Sequence, residues 1–104
     1  MASHHAHSAV RLLIAGAGSR GLTYAGYATR HPDRARVVGC AEPRAIYRQR
    51  MAALHGIPPE GVFETWEEMA AAAPEADAVI VATQDAMHEG PARAFAERGY
   101  HLLL

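Results

Sequence analysis

No lysine occurs among the 104 residues; all ten basic residues are arginine, so no ε-amino group is available as an acid or base. Cysteine is almost as scarce. The single Cys40 excludes an internal disulfide and fits a reducing, cytoplasmic setting. It lies inside the apolar run "RVVGCAE", where a small buried residue is expected rather than a reactive thiol. No apolar stretch approaches the ~20 residues needed to span a bilayer, so no membrane partner is expected. The opening "MASHHAHSAV" has no hydrophobic signal-peptide core. With a net charge of −1 there is no basic surplus to draw nucleic acid or an anionic membrane surface. Neither zinc-ligand spacing nor a Gly-x-Ser-x-Gly elbow occurs. His4, His5 and His7 stand in what reads as a disordered leader over residues 1–9, and no metal site is expected there.

What is present is apolar. Half the residues are hydrophobic and a fifth are charged, as in an ordinary globular domain, here expected over residues 10–104. Continuous apolar runs occupy 10–16, 35–42, 77–83 and 100–104, without polar alternation, as strands buried on both faces require. A short fifth strand is expected at 62–64. Helical patterns fall between them at 19–31, 43–56, 65–73 and 90–99. Gly56 reads as a C-cap, Thr65 with Glu68 as a capping box, and Pro91 and Gly99 bracket the last helix. Strand–helix alternation with short connections predicts an α/β fold. Right-handed crossovers make it a doubly wound parallel sheet of order 3-2-1-4-5, the Rossmann arrangement.

Between the first strand and first helix stands Gly16-Ala17-Gly18-Ser19-Arg20-Gly21, a G-x-G-x-x-G pattern. Gly16 permits a tight turn, Gly18 lets a pyrophosphate touch the main chain, and Gly21 allows close helix–strand packing. The helix N-terminus then offers N–H groups and a positive dipole end, with Ser19 and Arg20 in its first turn. Glu42 stands 21 residues beyond Gly21, at the carboxyl end of the second strand, where an adenosine ribose presents its hydroxyls. A carboxylate there favours NAD. Arg44, two residues on, leaves NADP open, because it suits an adenine face or a 2′-phosphate. The blander alternative is that Glu42 only caps the helix beginning at Pro43 and Arg20 is merely solvated.

Residues 81–104 carry the second signal. Ala82-Thr83-Gln84 is followed by His88, Ala92, Ala94-Phe95, Gly99 and His101. Together with the glycine turn and Glu42, this resembles the NAD(P)-binding domain of the glucose–fructose oxidoreductase, inositol dehydrogenase and MocA (Gfo/Idh/MocA) family across residues 10–104. The resemblance implies an oxidoreductase that moves hydride between nicotinamide and a sugar or polyol-like substrate, with Thr83, Gln84 and His88 beside the nicotinamide half. Two departures matter. Gln84 stands where the family has proline, and the sequence stops at Leu104, before the family's Glu-Lys-Pro with its catalytic lysine. The expectation is therefore a cofactor half without the substrate domain, with no catalytic residue of its own. Its terminal "LLL" strand edge is able to pair with a second copy as a homo-oligomer. A non-catalytic nucleotide-binding module is the alternative; a methyltransferase also uses a glycine turn and an acid, but the Thr83…His88 segment argues against it.

Overall fold

A computed structural model describes residues 9–83 and 89–103. Five strands alternate with four helices: β1 (Val10–Ala15), α1 (Ser19–Arg30), β2 (Ala35–Ala41), α2 (Ala45–His55), β3 (Val62–Phe63), α3 (Trp66–Ala72), β4 (Ala78–Val81), α4 (Glu89–Glu97) and β5 (His101–Leu103). All pairings are parallel and the order is β3-β2-β1-β4-β5. The doubly wound sheet expected from the alternation is present.

Each buried strand serves two cores, because successive side chains point to opposite faces. Leu12 and Ile14 of β1 and Ala78 and Ile80 of β4 join Ala25 and Ala28 of α1 and Met51 of α2. Leu13, Ala15, Val79 and Val81 join Met69 of α3 and Phe95 of α4 on the other face. Cys40 is fully buried in the first of these cores, and burial pushes its thiol up to about 11. Among the described residues, no helix is long and apolar enough to cross a membrane.

The expectation that every strand is buried on both faces fails at β5. His101 and Leu103 are exposed, because β5 is the sheet edge and pairs only with β4. The strand ends also retreat by a residue or two from the apolar runs, as where β4 stops at Val81 rather than residue 83. Gly56 closes α2 in the left-handed region (φ +62) as its C-cap. The Thr65 hydroxyl accepts from the Glu68 N–H at 3.1 Å. The reciprocal arm of that capping box differs: Glu68 accepts from the Glu64 N–H, one residue before the cap.

One irregularity positions the site. Leu12 stands opposite Val37 but Leu13 stands opposite Gly39, so Val38 is an extra residue in β2. A one-residue insertion reverses which face all later side chains address. Cys40 therefore shares the α1/α2 face with Val37, and Glu42 follows on that face. Gly39 makes room for the bulge, since a Cβ there would stand 2.7 Å from a Leu13 methyl.

Phe95 is fully buried and meets Tyr100 edge-on with ring centroids 5.8 Å apart. Phe95→Ala is expected to cost about 3–5 kcal/mol, a large share of a small domain's stability, read as a lower urea midpoint at unchanged slope.

Candidate functional site: the glycine turn and the Glu42 corner

The carboxyl ends of β1, β2 and β4 meet at one edge of the sheet. The glycine turn leaves β1, Glu42 leaves β2 and Thr83 leaves β4. Gly16 is pinned by its N–H to the Ala41 carbonyl at 2.8 Å, and Ala82 by its N–H to the Ala15 carbonyl at 2.8 Å. Gly16 takes φ +100, and a Cβ there would lie 2.9 Å from the Ala82 carbonyl and 3.0 Å from the Thr83 nitrogen. The turn thus runs against the backbone that follows β4, and only glycine fits. At Gly21 a Cβ would collide with the Gly16 carbonyl oxygen, which holds α1 tightly over the turn.

Gly18 is different. Its φ of −76 is open to any residue, and its nearest neighbour is the Arg44 Nη2, 2.8 Å from where a Cβ would be. Gly18 is the N-cap of α1, offers no side chain to cap it, and is followed by a first turn without an acidic residue. The positive end of the helix dipole therefore faces outward with no carboxylate of its own. Ser19 opens α1 and Arg20, its second residue, is exposed.

Glu42 is 2% exposed, a buried carboxylate that must find donors. Its Oε1 accepts from the Ala17 N–H at 2.8 Å and from Arg44 Nη2 at 3.2 Å. Its Oε2 accepts from the Arg44 N–H at 2.9 Å and from Arg44 Nε at 2.7 Å. Burial pushes this carboxyl up, but the Arg44 side chain and the Ala17 and Arg44 N–H groups more than offset it, leaving it below the ordinary glutamate range. Glu42 is ionised at neutral pH. It does part of the work of a helix cap, since it takes an N–H at the entry to α2, but its bond to Ala17 ties it to the glycine turn as well.

Two residues of α2 that sequence reasoning did not single out build this corner. Arg48 Nη1 donates to the Glu42 carbonyl at 2.8 Å and the Pro43 carbonyl at 3.2 Å, fixing the backbone that carries the acid. Tyr47 lies beneath Arg44, whose guanidinium carbon is 4.2 Å from the ring centroid. The signal was available: Arg44, Tyr47 and Arg48 are spaced i, i+3, i+4 and so share one helix face.

The structure thus brings together Gly16, Gly18, Gly21, Glu42, Arg44 and Thr83, with Ser19 and Arg20 at the start of α1. Gln84 and His88 lie outside the described residues, as do His4, His5 and His7. Among the described residues, no group of three His, Cys, Asp or Glu side chains is placed to hold a metal. An apolar groove of about 760 Å³ also opens on the α1 face, between Tyr24, Tyr27, Ile80 and Leu103, and uses none of the turn residues.

A search of curated protein sequences finds no match. Solved structures do match. The chain is similar to the WlbA dehydrogenase from Bordetella pertussis, solved in complex with NADH and UDP-GlcNAcA, with 27% identity and a TM-score of 0.79 over 91% of this chain and 27% of that one. An NAD-binding protein from Listeria innocua is 29% identical, with a TM-score of 0.70 over 89% of this chain and 26% of that one. The apo scyllo-inositol dehydrogenase from Lactobacillus casei shares the fold at 18% identity, with a TM-score of 0.81 over 92% of this chain and 28% of that one. The chain spans about a quarter of the length of these neighbours. The family model described as the oxidoreductase family GFO_IDH_MocA, NAD-binding Rossmann fold, matches residues 10–104. A glycine turn, a buried acid and a five-stranded sheet in this order therefore have one family in common, and the chain belongs to the Gfo/Idh/MocA oxidoreductases as their NAD-binding Rossmann domain.

Proposed function

We propose that this domain holds NAD(H) with its pyrophosphate against the Gly16–Gly21 turn and the N-terminus of α1, and its adenosine ribose at Glu42. The observation that carries this reading is the Glu42–Ala17 bond of 2.8 Å, which fixes an ionised acid at constant distance from a phosphate-sized gap in side chains. The fit is good on the chain's own terms: main-chain N–H groups and a dipole for the phosphates, a carboxylate for ribose hydroxyls. Thr83, against Gly16, together with Gln84 and His88, would face the nicotinamide half. Bound there, the dinucleotide supplies the capacity to give or take a hydride; the chain supplies position.

The substrate is proposed to be sugar or polyol-like. The support is that the Bordetella pertussis neighbour is a dehydrogenase solved with a nucleotide sugar and another neighbour is an inositol dehydrogenase. No described residue is assigned a catalytic role. The absence of lysine favours a second reading for these 104 residues alone, a nucleotide-binding module that positions cofactor without turnover.

Gly18 is the position at which to test cofactor binding without breaking the fold. Substitution at Gly16 or Gly21 drives a side chain into backbone, whereas at Gly18 the neighbour is the tip of a flexible arginine. Gly18→Val should melt near the wild type yet lose most of its NAD affinity by calorimetry; equal affinity for both proteins would exclude the turn as the pyrophosphate site.

Glu42→Ala removes a charged hydrogen-bond acceptor and is expected to weaken NAD binding by roughly 1.5–3 kcal/mol, or tens-fold. Thermal stability should fall too, because the buried Ala17 N–H is left without its acceptor. Unchanged affinity would mean Glu42 is only a structural cap.

Hydride exchange with an alcohol or carbonyl needs a placed acid or base for the accompanying proton. With no lysine present, the 104-residue chain is expected to bind cofactor but show no steady turnover. A panel of sugars, polyols and inositols with NAD and NADP, followed by absorbance of the reduced cofactor, checks this. Steady turnover lost in His88→Ala would make the chain a minimal enzyme.

A further inference from the structure

An ionised carboxylate has about four acceptor positions, and at Glu42 four N–H donors fill them: Ala17 N–H, Arg44 N–H, Arg44 Nε and Arg44 Nη2. A ribose diol therefore finds no vacancy. The two main-chain donors are fixed by the turn and by the entry to α2. The two guanidinium donors are not, because the Arg44 side chain is 58% exposed. Two hydroxyl donors of a ribose replace two N–H donors of Arg44 one for one, and the carboxylate stays saturated throughout.

The alternative occupant needs no exchange. Arg44 carries five N–H donors, and Glu42 takes only those on Nε and one on Nη2. The Nη1 pair and the second Nη2 hydrogen have no acceptor among the described residues. The guanidinium is held flat against Tyr47 on one face and lies 2.8 Å from the Cβ position of Gly18, at the mouth of the turn. A phosphate beside that ribose meets three charged donors, and the carboxylate that would repel it is neutralised by a 2.7 Å ion pair.

We propose that Arg44 is an exchangeable cap on Glu42 and the specificity-determining residue of the adenosine end. Displaced, it admits the free ribose diol of NAD; in place, it receives the 2′-phosphate of NADP. The chain is thus a dual-cofactor domain rather than one that rejects NADP. This rests on the assignment of Glu42 to the ribose, and the experiment separates the two.

Calorimetric titration of the 104-residue chain with NAD and with NADP, on wild type, Arg44→Ala and Arg44→Lys, carries the test. The wild type should bind both with dissociation constants within about tenfold of each other. Arg44→Ala should weaken NADP by about tenfold or more while NAD is held as tightly or more tightly, because no cap has to leave. Arg44→Lys keeps a charge without the planar fork and should recover part of the NADP affinity. A parallel loss of both cofactors in Arg44→Ala would make Arg44 only a brace for Glu42 and overturn the proposal. So would a wild type that binds NAD and rejects NADP by more than about a hundredfold. Binding of neither cofactor to the folded wild type would overturn the ribose assignment itself, and the proposal with it. Should Arg44→Ala fail to fold, Arg44→Gln gives the same comparison.

Discussion

A buried carboxylate that must be kept charged is the constraint around which this end of the molecule is arranged. At 2% exposure Glu42 has lost nearly all contact with water, and an ionised group so placed persists only if its oxygens are fully bonded. Meeting that requirement ties three elements together. The Ala17 N–H brings in the turn after β1, the Arg44 N–H brings in the start of α2, and Glu42 itself extends β2, its N–H bonded to the Phe63 carbonyl at 3.0 Å. The same bonds that keep the charge also fix the spacing between acid and turn. That spacing is the functional quantity.

The bulge at Val38 is the less obvious half of this. With strict alternation from Val37, residue 42 would address the α3/α4 face, away from the glycine turn. The extra residue reverses the phase, so the acid reaches Ala17. Two glycines make the reversal sterically feasible: Gly39, against Leu13, and Gly61, where a Cβ would stand 2.7 Å from the Val38 carbonyl. A single insertion in a seven-residue strand therefore decides which side of the sheet carries the site.

Much of this was legible beforehand, for identifiable reasons. Apolar runs bounded by turn residues mark buried strands, and parallel order with right-handed crossovers admits few topologies, so the order 3-2-1-4-5 followed from the alternation. The positions of Gly16, Gly18, Gly21 and Glu42 at the carboxyl ends of β1 and β2 followed from the spacing. What was not legible depends on tertiary context. Exposure of β5 comes from its place at the sheet edge, which an apolar run of three leucines does not reveal. The bulge left only Gly39 as a trace, and an isolated glycine in a strand has several causes. The saturation of Glu42 by Arg44 could not be counted from two residues of sequence, because it depends on a guanidinium folding back across its own strand end.

Rigidity at the corner is unevenly distributed, and the distribution has a physical basis. Arg48 commits a guanidinium nitrogen to two main-chain carbonyls, so its cation stabilises backbone and stays where it is. Arg44 commits its charge to a side chain from a half-exposed position, with an aromatic face on one side and solvent on the other. An exposed ion pair contributes little net free energy, because water competes for both partners. Half of the Glu42–Arg44 pair is buried, however, so the acid cannot give up the guanidinium unless another donor takes its place. Arg44 is therefore held strongly enough to define one arrangement and released only to a group with matching hydroxyls. Separating a fixed backbone clamp from a replaceable charged cap, on arginines four residues apart along one helix face, lets a rigid sheet edge respond to the chemistry of what it meets.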